Sequence, residues 1–404
     1  MTIKRLVLVT LLLLGMAGLG HTVAQAAGIC VHPAGAGKCF TSIQAAVDAA
    51  NDGDRISIRA GKYVEQVTIS NKDLTLIGQS GVVIEAPPAM QDTLLSVGGA
   101  EGRPIILVTE SEVTIRNLTI DGVNSGEANP FLDGIVFVNA GGVIRNNLVR
   151  NIGFGEPTLL IIDGFPTYQG NGIIVANQSA TPRTVTIAEN QVTNFNSVGI
   201  TVFAETDPSN PATSTLTAHV LDNVVTALGP NGVIDQWGIF LGGYNFADPQ
   251  SSVTGTIKGN RVSDQLTVSP HPIPGVGIVT LFTYNVQIAD NVIENANVSI
   301  AANLAFSSFI ANNQLNGPQP DVPGSTGLLL SGSDTAVNEN RFKKLDLGIF
   351  LFVDDPSFGS ALNTAMDENR FENVAVDVLT GAGSTTALML TSSTLPTQPK
   401  FGPR

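Results

Sequence analysis

The sequence predicts an all-β protein wound as a single-stranded, right-handed parallel β-helix, a solenoid with an N-terminal capping helix. Three observations predict it. First, eight copies of the pattern apolar-x-x-Asn-x-apolar recur, with Asn147, Asn190, Asn223, Asn260, Asn291, Asn313, Asn340 and Asn369 at the polar position. Three residues before each Asn stand Ile144, Ile187, Val220, Ile257, Ile288, Ile310, Val337 and Met366. Two residues after stand Val149, Val192, Val225, Val262, Ile293, Leu315, Phe342 and Phe371. Second, a strand opened by a small residue alternates strictly with the Asn strand: Gly134, Gly172, Gly199, Gly238, Gly277, Ser299, Gly327 and Gly348, each followed by Ile or Leu. Third, the Asn residues are spaced from 22 to 43 apart, so the shortest repeat is one β-helix turn and the others carry insertions.

Such coils stack at about 4.8 Å, pair in parallel and line a dry core with their apolar columns. Leucine-rich repeats share the period but need Leu columns, which are absent. The repeated Asn belongs at a bend, where its amide can bond the Asn of the next coil. Eight-fold repetition marks it as scaffold, since packing needs repetition and a catalytic site does not. An earlier copy, Val113 to Ile120, carries Asn117 one position out of register.

The elements follow in order. Lys4 and Arg5 precede an apolar run from Leu6 to Leu19 and then Ala24-Gln25-Ala26, the order of a cleavable signal peptide over 1–26. That run is too short to span a bilayer, and no Cys at the cleavage point offers a lipid anchor. The mature chain is therefore expected outside the cytoplasm, secreted or periplasmic. Residues 27–393 form the β-helix domain, and 394–404, with three prolines and no pattern, form a flexible tail. Export permits a disulfide between Cys30 and Cys39. Ser42 to Ala50, with Ile43 and Val47 at helical spacing, reads as the cap helix over about 42–50. An open solenoid needs such a cover for its terminal strand edge.

The chain has 20 Lys and Arg against 34 Asp and Glu, and both leader charges are basic, so the exported part is strongly acidic. A surface of that sign repels phosphate backbones and anionic lipid heads, which excludes nucleic acid and membrane partners.

Ser42-Ile43-Gln44-Ala45-Ala46-Val47-Asp48-Ala49-Ala50, Gly53-Asp54-Arg55-Ile56, Gly61-Lys62-Tyr63-Val64-Glu65 and Leu74-Thr75-Leu76-Ile77-Gly78 resemble the opening segment of the pectin-lyase-like superfamily. Gly-x-Tyr-x-Glu is also the opening motif of pectin methylesterases. The resemblance implies the β-helix fold and an extracellular polysaccharide as partner. The catalytic strings of characterised members, Asp-Phe-Ile-Phe-Gly and Leu-Gly-Arg-Pro-Trp of the methylesterases and Gly-His-Gly and Arg-Ile-Lys of the polygalacturonases, are absent. Leu132-Asp133-Gly134-Ile135-Val136-Phe137, the nearest match, reads as an ordinary repeat strand. Tyr63 and Glu65 read as turn and packing residues.

Candidate chemistry lies in the insertions, because loops added to a solenoid's side build its binding surface. Between the Asn strand and the Gly strand these carry Glu156, Asp163 and Tyr168, then Asp235 and Trp237, then His271. Paired carboxylates with an aromatic platform suit glycosidic cleavage, so Asp163 and Asp235 are catalytic candidates and Trp237, Tyr168, Glu156 and His271 binding candidates. Insertions on the other side carry Asp207-Pro208, Asp248-Pro249 and Asp354-Asp355-Pro356. Asp before Pro also sets a type I turn without any function. Asp354 and Asp355 are the best adjacent carboxylates, as catalytic groups or as oxygen ligands for calcium, the one cofactor the sequence allows for.

Outward positions on the Gly strands, Thr201, Phe203, Phe240, Val279, Leu281, Phe350 and Phe352, make an apolar face that something must cover: a partner, a second copy through self-association, or an overlying loop. Two functions follow. In one the β-helix binds, and as a lyase or hydrolase cleaves or modifies, an extracellular polysaccharide. In the other it is a non-catalytic surface or matrix scaffold for adhesion.

Overall fold

The computed structural model describes residues 28–97, 100–156, 160–162, 165–167, 170–205, 214–243, 252–268, 274–318, 322–352, 364–381 and 389–391. Thirty-three strands join in one continuous sheet wound as a right-handed parallel β-helix, and a separate hairpin pairs Leu160–Ile162 with Phe165–Thr167. Three stacks of short strands make up each coil. The Asn-leading stack includes Gly141–Arg145, Arg183–Ala188, Thr215–Leu221 and Ser252–Lys258, in register with Ile144 on Ile187 on Val220 on Ile257. The stack after the Asn includes Leu148–Ile152, Gln191–Phe195, Val224–Thr226 and Arg261–Ser263. The Gly-led stack runs through Leu132–Val138, Ile173–Asn177, Val198–Ala204, Trp237–Gly243, Val276–Ala289 and Val298–Phe306.

At the corner between the first two stacks the backbone turns through a left-handed residue: Asn146 (φ 53°), Glu189 (55°), Asp222 (53°), Asp290 (56°) and their equivalents. The next residue is the ladder Asn. Its Oδ1 accepts both the backbone N–H and the Nδ2 of the Asn one coil earlier; Asn190 donates to Asn223 at 2.9 and 3.0 Å. Its Nδ2 donates onward to the next Asn and back to a strand carbonyl, Asn223 to Asn260 at 3.0 Å and to Ile187 at 2.8 Å. The chain of amides is unbroken from Asn147 to Asn369, with Nδ2 to Oδ1 distances of 2.9–3.1 Å.

The misplaced Asn117 has a physical reason. It occupies the left-handed position (φ 60°), which Asn tolerates better than most residues, and Leu118 takes the ladder place. Leu118 donates its N–H to Asn147 Oδ1 at 3.1 Å, so the ladder starts there.

Inside, three aliphatic columns run the length of the stack. Ile144, Ile187, Val149, Val192, Ile135 and Ile173 and their successors are essentially inaccessible. Burying each such side chain contributes about 1.5–3 kcal/mol. The small residue opening the third strand is steric: a Cβ on Gly172 would sit 2.4 Å from Val192 Cγ1 and 2.6 Å from the Gly199 carbonyl. The shortest coil, 22 residues from Asn291 to Asn313, encloses less space, and the small Ala296, Ser299, Ala302 and Ala305 fill it.

At the N-terminus, helix α1 spans Ile43–Ala49 and turns Ile43, Ala46 and Val47 into the core against the first strands. Glu65 holds its start: the carboxylate accepts from Ser42 Oγ (2.8 Å), Ile43 N (2.8 Å) and Gln44 N (3.0 Å). Tyr63 is buried and donates its hydroxyl to the Arg59 carbonyl at 2.8 Å. Both motif residues are structural. Cys30 and Cys39 are disulfide-bonded.

The ladder sets a graded expectation for stability. Asn223→Ala strips partners from two ladder amides and the Ile187 carbonyl, each orphan costing about 1–3 kcal/mol, for a loss of roughly 3–5 kcal/mol in urea unfolding. Asn369→Ala, at the half-buried last rung, should cost less than half as much. Equal losses at the two positions would show that the ladder does not carry the load.

Candidate functional site

Alternate residues of the Gly-led strands point outward, and they form a second apolar cluster. Val136, Ile174, Phe240, Val279 and Ala301 stack coil on coil. The face expected to be apolar is apolar, but it is not open: Phe203, Phe240 and Val279 are 7%, 3% and 5% exposed within a single chain, so the chain covers them itself. Thr201, Leu281, Phe350 and Phe352 on the same face are half-buried.

One row of that face is partly reachable, at Asn171, Val198 and Trp237, while Asp133 and Val276 within it are each 6% exposed. It lies two residues before the core Ile of each strand and runs Asp133, Asn171, Val198, Trp237, Val276, in register from coil to coil. Asn171, Val198 and Trp237 are half-buried, and three coil steps, about 14 Å, separate Asp133 from Trp237.

Around Trp237 the backbone is built as a wall. Asn231 Oδ1 accepts from Val233 N (3.0 Å) and Ile234 N (2.8 Å), closing an Asx turn that tucks Ile234 and Asp235 inward. Asp235 is consequently 7% exposed, not a solvated loop acid. Asn231 pairs with Thr267 of the next coil, whose N–H donates to Asn297 Oδ1 at 2.6 Å. Gln236 Nε2 reaches the Phe195 carbonyl at 2.7 Å, and the indole of Trp237 lies 5.8 Å from the Phe240 ring. Unused hydrogen-bonding capacity concentrates here: Asn231 Nδ2, Gln236 Oε1, Trp237 Nε1 and both ends of the fully buried Gln265 amide have no partner among the described residues.

Asp133 is the residue that the sequence reading missed. The residue is 6% exposed, and Asn171 donates to Oδ1 from its backbone N (3.2 Å) and its Nδ2 (3.0 Å). No donor among the described residues reaches Oδ2. Burial pushes the carboxyl up to about 6, against the opposing pull of the Asn171 hydrogen bonds. A charged residue in a row otherwise filled by Pro104, Asn171, Val198 and Trp237 was the available signal; the apolar residues beside it disguised it as a repeat strand.

Of the residues singled out in the sequence, Glu156, Asp235 and Trp237 are described. Asp235 and Trp237 flank Gln236, while Glu156 is exposed two coils earlier. Asp163, Tyr168, His271, Asp354 and Asp355 lie outside the described residues. Among the described residues no three His, Cys, Asp or Glu side chains gather as metal ligands, and no helix is long and apolar enough to cross a membrane. Four surface acids are matched coil to coil: Glu189 with Arg145, Asp290 with Lys258, Glu294 with Arg261 and Glu372 with Arg341. Two shallow clefts of about 280 and 450 Å³ open in the C-terminal coils, beside Arg341 and beside Asp346, away from Trp237.

The buried carboxyl makes stability depend on pH. Asp133 holds its proton more tightly folded than unfolded, so folding stability falls as pH rises from about 4 through 6, by about 2–3 kcal/mol in full. Asp133→Asn should unfold in urea like the native chain at pH 4 and be more stable than it by about that amount at pH 7. An equal effect at both pH values would overturn the assignment.

No family model matches the chain, and no curated protein matches it. Solved structures do, at low identity. A GH136 lacto-N-biosidase from Eubacterium ramulus superposes with a TM-score of 0.55 at 10% identity, over 87% of this chain and 68% of that one. The Dettilon tailspike protein gives 0.53 at 14% identity over 86% of this chain, which spans 64% of the tailspike. PfbA, a surface adhesin of Streptococcus pneumoniae, gives 0.51 at 12% identity over 87% and 92%. At such identity the likeness speaks for architecture alone. The chain has a right-handed parallel β-helix fold, which these solved structures share.

Proposed function

We propose that this protein is exported and binds an extracellular polysaccharide along the row from Asp133 to Trp237. One observation carries the reading: the chain's only Trp is partly exposed, and Asn231 Nδ2, Gln236 Oε1 and its own Nε1 lie buried around it with no partner among the described residues. A buried polar group without a partner costs about 1–3 kcal/mol, and a hydroxylated ligand or ordered water relieves that cost. An aromatic face with amides beside it is the chemistry that a sugar ring needs, apolar C–H face on the ring and hydroxyls on the amides. Tyr168, His271 and Glu156 would extend the site. Asp163, Asp235, Asp354 and Asp355 would supply carboxylates for hydrolase or lyase chemistry, and calcium would bind at the Asp-Pro turns.

The second reading is the adhesion scaffold without chemistry. It is favoured by the coil-to-coil neutralisation of exposed acids, which leaves those carboxylates engaged.

The test is retention of the purified mature protein on a panel of plant, algal and bacterial polysaccharides, with and without calcium, while reducing ends and unsaturated products are followed. Retention on one glycan is expected, weakened about tenfold or more, ~1.4 kcal/mol, in Trp237→Ala with an unchanged melting temperature. Indifference of a retained glycan to Trp237→Ala would remove the site from this row. No retention on any glycan would overturn the reading.

A further inference from the structure

We propose that Asp133 is the catalytic acid of a glycoside hydrolase, donating a proton to the glycosidic oxygen of a polysaccharide bound along the same row. The proposal rests on the carbohydrate reading and deepens it. Three features of Asp133 fit the role. Asp133 stands three coil steps from Trp237 in the same row, on the path of a chain stacked on the indole and following the solenoid axis. Asn171 grips Oδ1 from two donors, which fixes the orientation of the group and leaves Oδ2 for the substrate. Burial keeps the proton on the carboxyl into the mildly acidic range, where a proton donor to a leaving oxygen works best.

Among the described residues no neighbouring charge contributes to its titration. Arg103, beside it on the preceding strand, is held by Asp92 at 2.6 Å. The proton is thus governed by burial and by Asn171. In the step, the Oδ2 proton passes to the glycosidic oxygen and the bond from that oxygen to the anomeric carbon breaks, its electron pair staying on the oxygen. Water adds to the anomeric carbon and gives up a proton to solvent, and Asp133 regains its proton from solvent. One water is consumed and one glycosidic bond is lost. Asn171 is a positioning residue.

The experiment uses the glycan that the mature protein retains. The native chain should release reducing ends from it. Asp133→Asn, which preserves shape and an acceptor for Asn171, should lower kcat at least a hundredfold with retention changed less than twofold. Activity should fall as pH rises past the carboxyl's titration. Asn171→Ala keeps the backbone N–H donor but removes the Nδ2 hydrogen bond, the stronger of the two that favour the carboxylate, so its alkaline limb should move to higher pH. A purely structural Asn171 would lower kcat without moving the limb. Retention of a glycan with no product, or Asp133→Asn at more than a third of native kcat, overturns the catalytic assignment and leaves the binding reading standing. Absence of retention on every glycan overturns both.

Discussion

The amide ladder is the constraint on which the rest of the molecule depends. Parallel strands need every coil to start at the same angle and the same height, and no turn in the backbone guarantees that by itself. Each ladder Asn ties its corner to the corners above and below through the same two groups, a backbone N–H and a side-chain amide. Because the site is dry, an amide that failed to find its neighbour would stay unsatisfied. The apolar columns then fall into register as a consequence, and so do the outward rows, including the one that joins Asp133 to Trp237.

This explains what was legible in the sequence. A feature that must recur in every coil is written eight times, so the Asn, its flanking apolar residues and the small residue before the third strand could be read without coordinates. Asn117 shows the resolution of such reading: the coil was recognised, but whether its Asn filled the ladder or the left-handed turn could be told only from the backbone. The opening motif was legible in kind as well, since Tyr63 and Glu65 serve the strand turn and the start of α1.

The site was much less legible, because nothing in it repeats. Asp235 was read as a catalytic candidate on an insertion, and its burial by an Asx turn at Asn231 could not be foreseen from its neighbours in sequence. Asp133 looked like a strand residue among apolar neighbours, and it is buried among them; the grip of Asn171 on its carboxyl is what separates it from them. Trp237 was recognisable by rarity alone. Periodicity reports the scaffold; departures from it report the site, and one departure can be weighed only after its surroundings are known.

The ladder also acts as an error-correcting frame. The number of residues between successive rungs varies from 22 to 43, yet each Asn lands on the one before it. A loop lengthened by one residue or by twenty is absorbed at the solenoid's flank, and the following coil is re-indexed from its own rung. The protein can therefore change what it displays on its side without disturbing any coil downstream, and its surface chemistry can diverge at a pace that its core never has to follow.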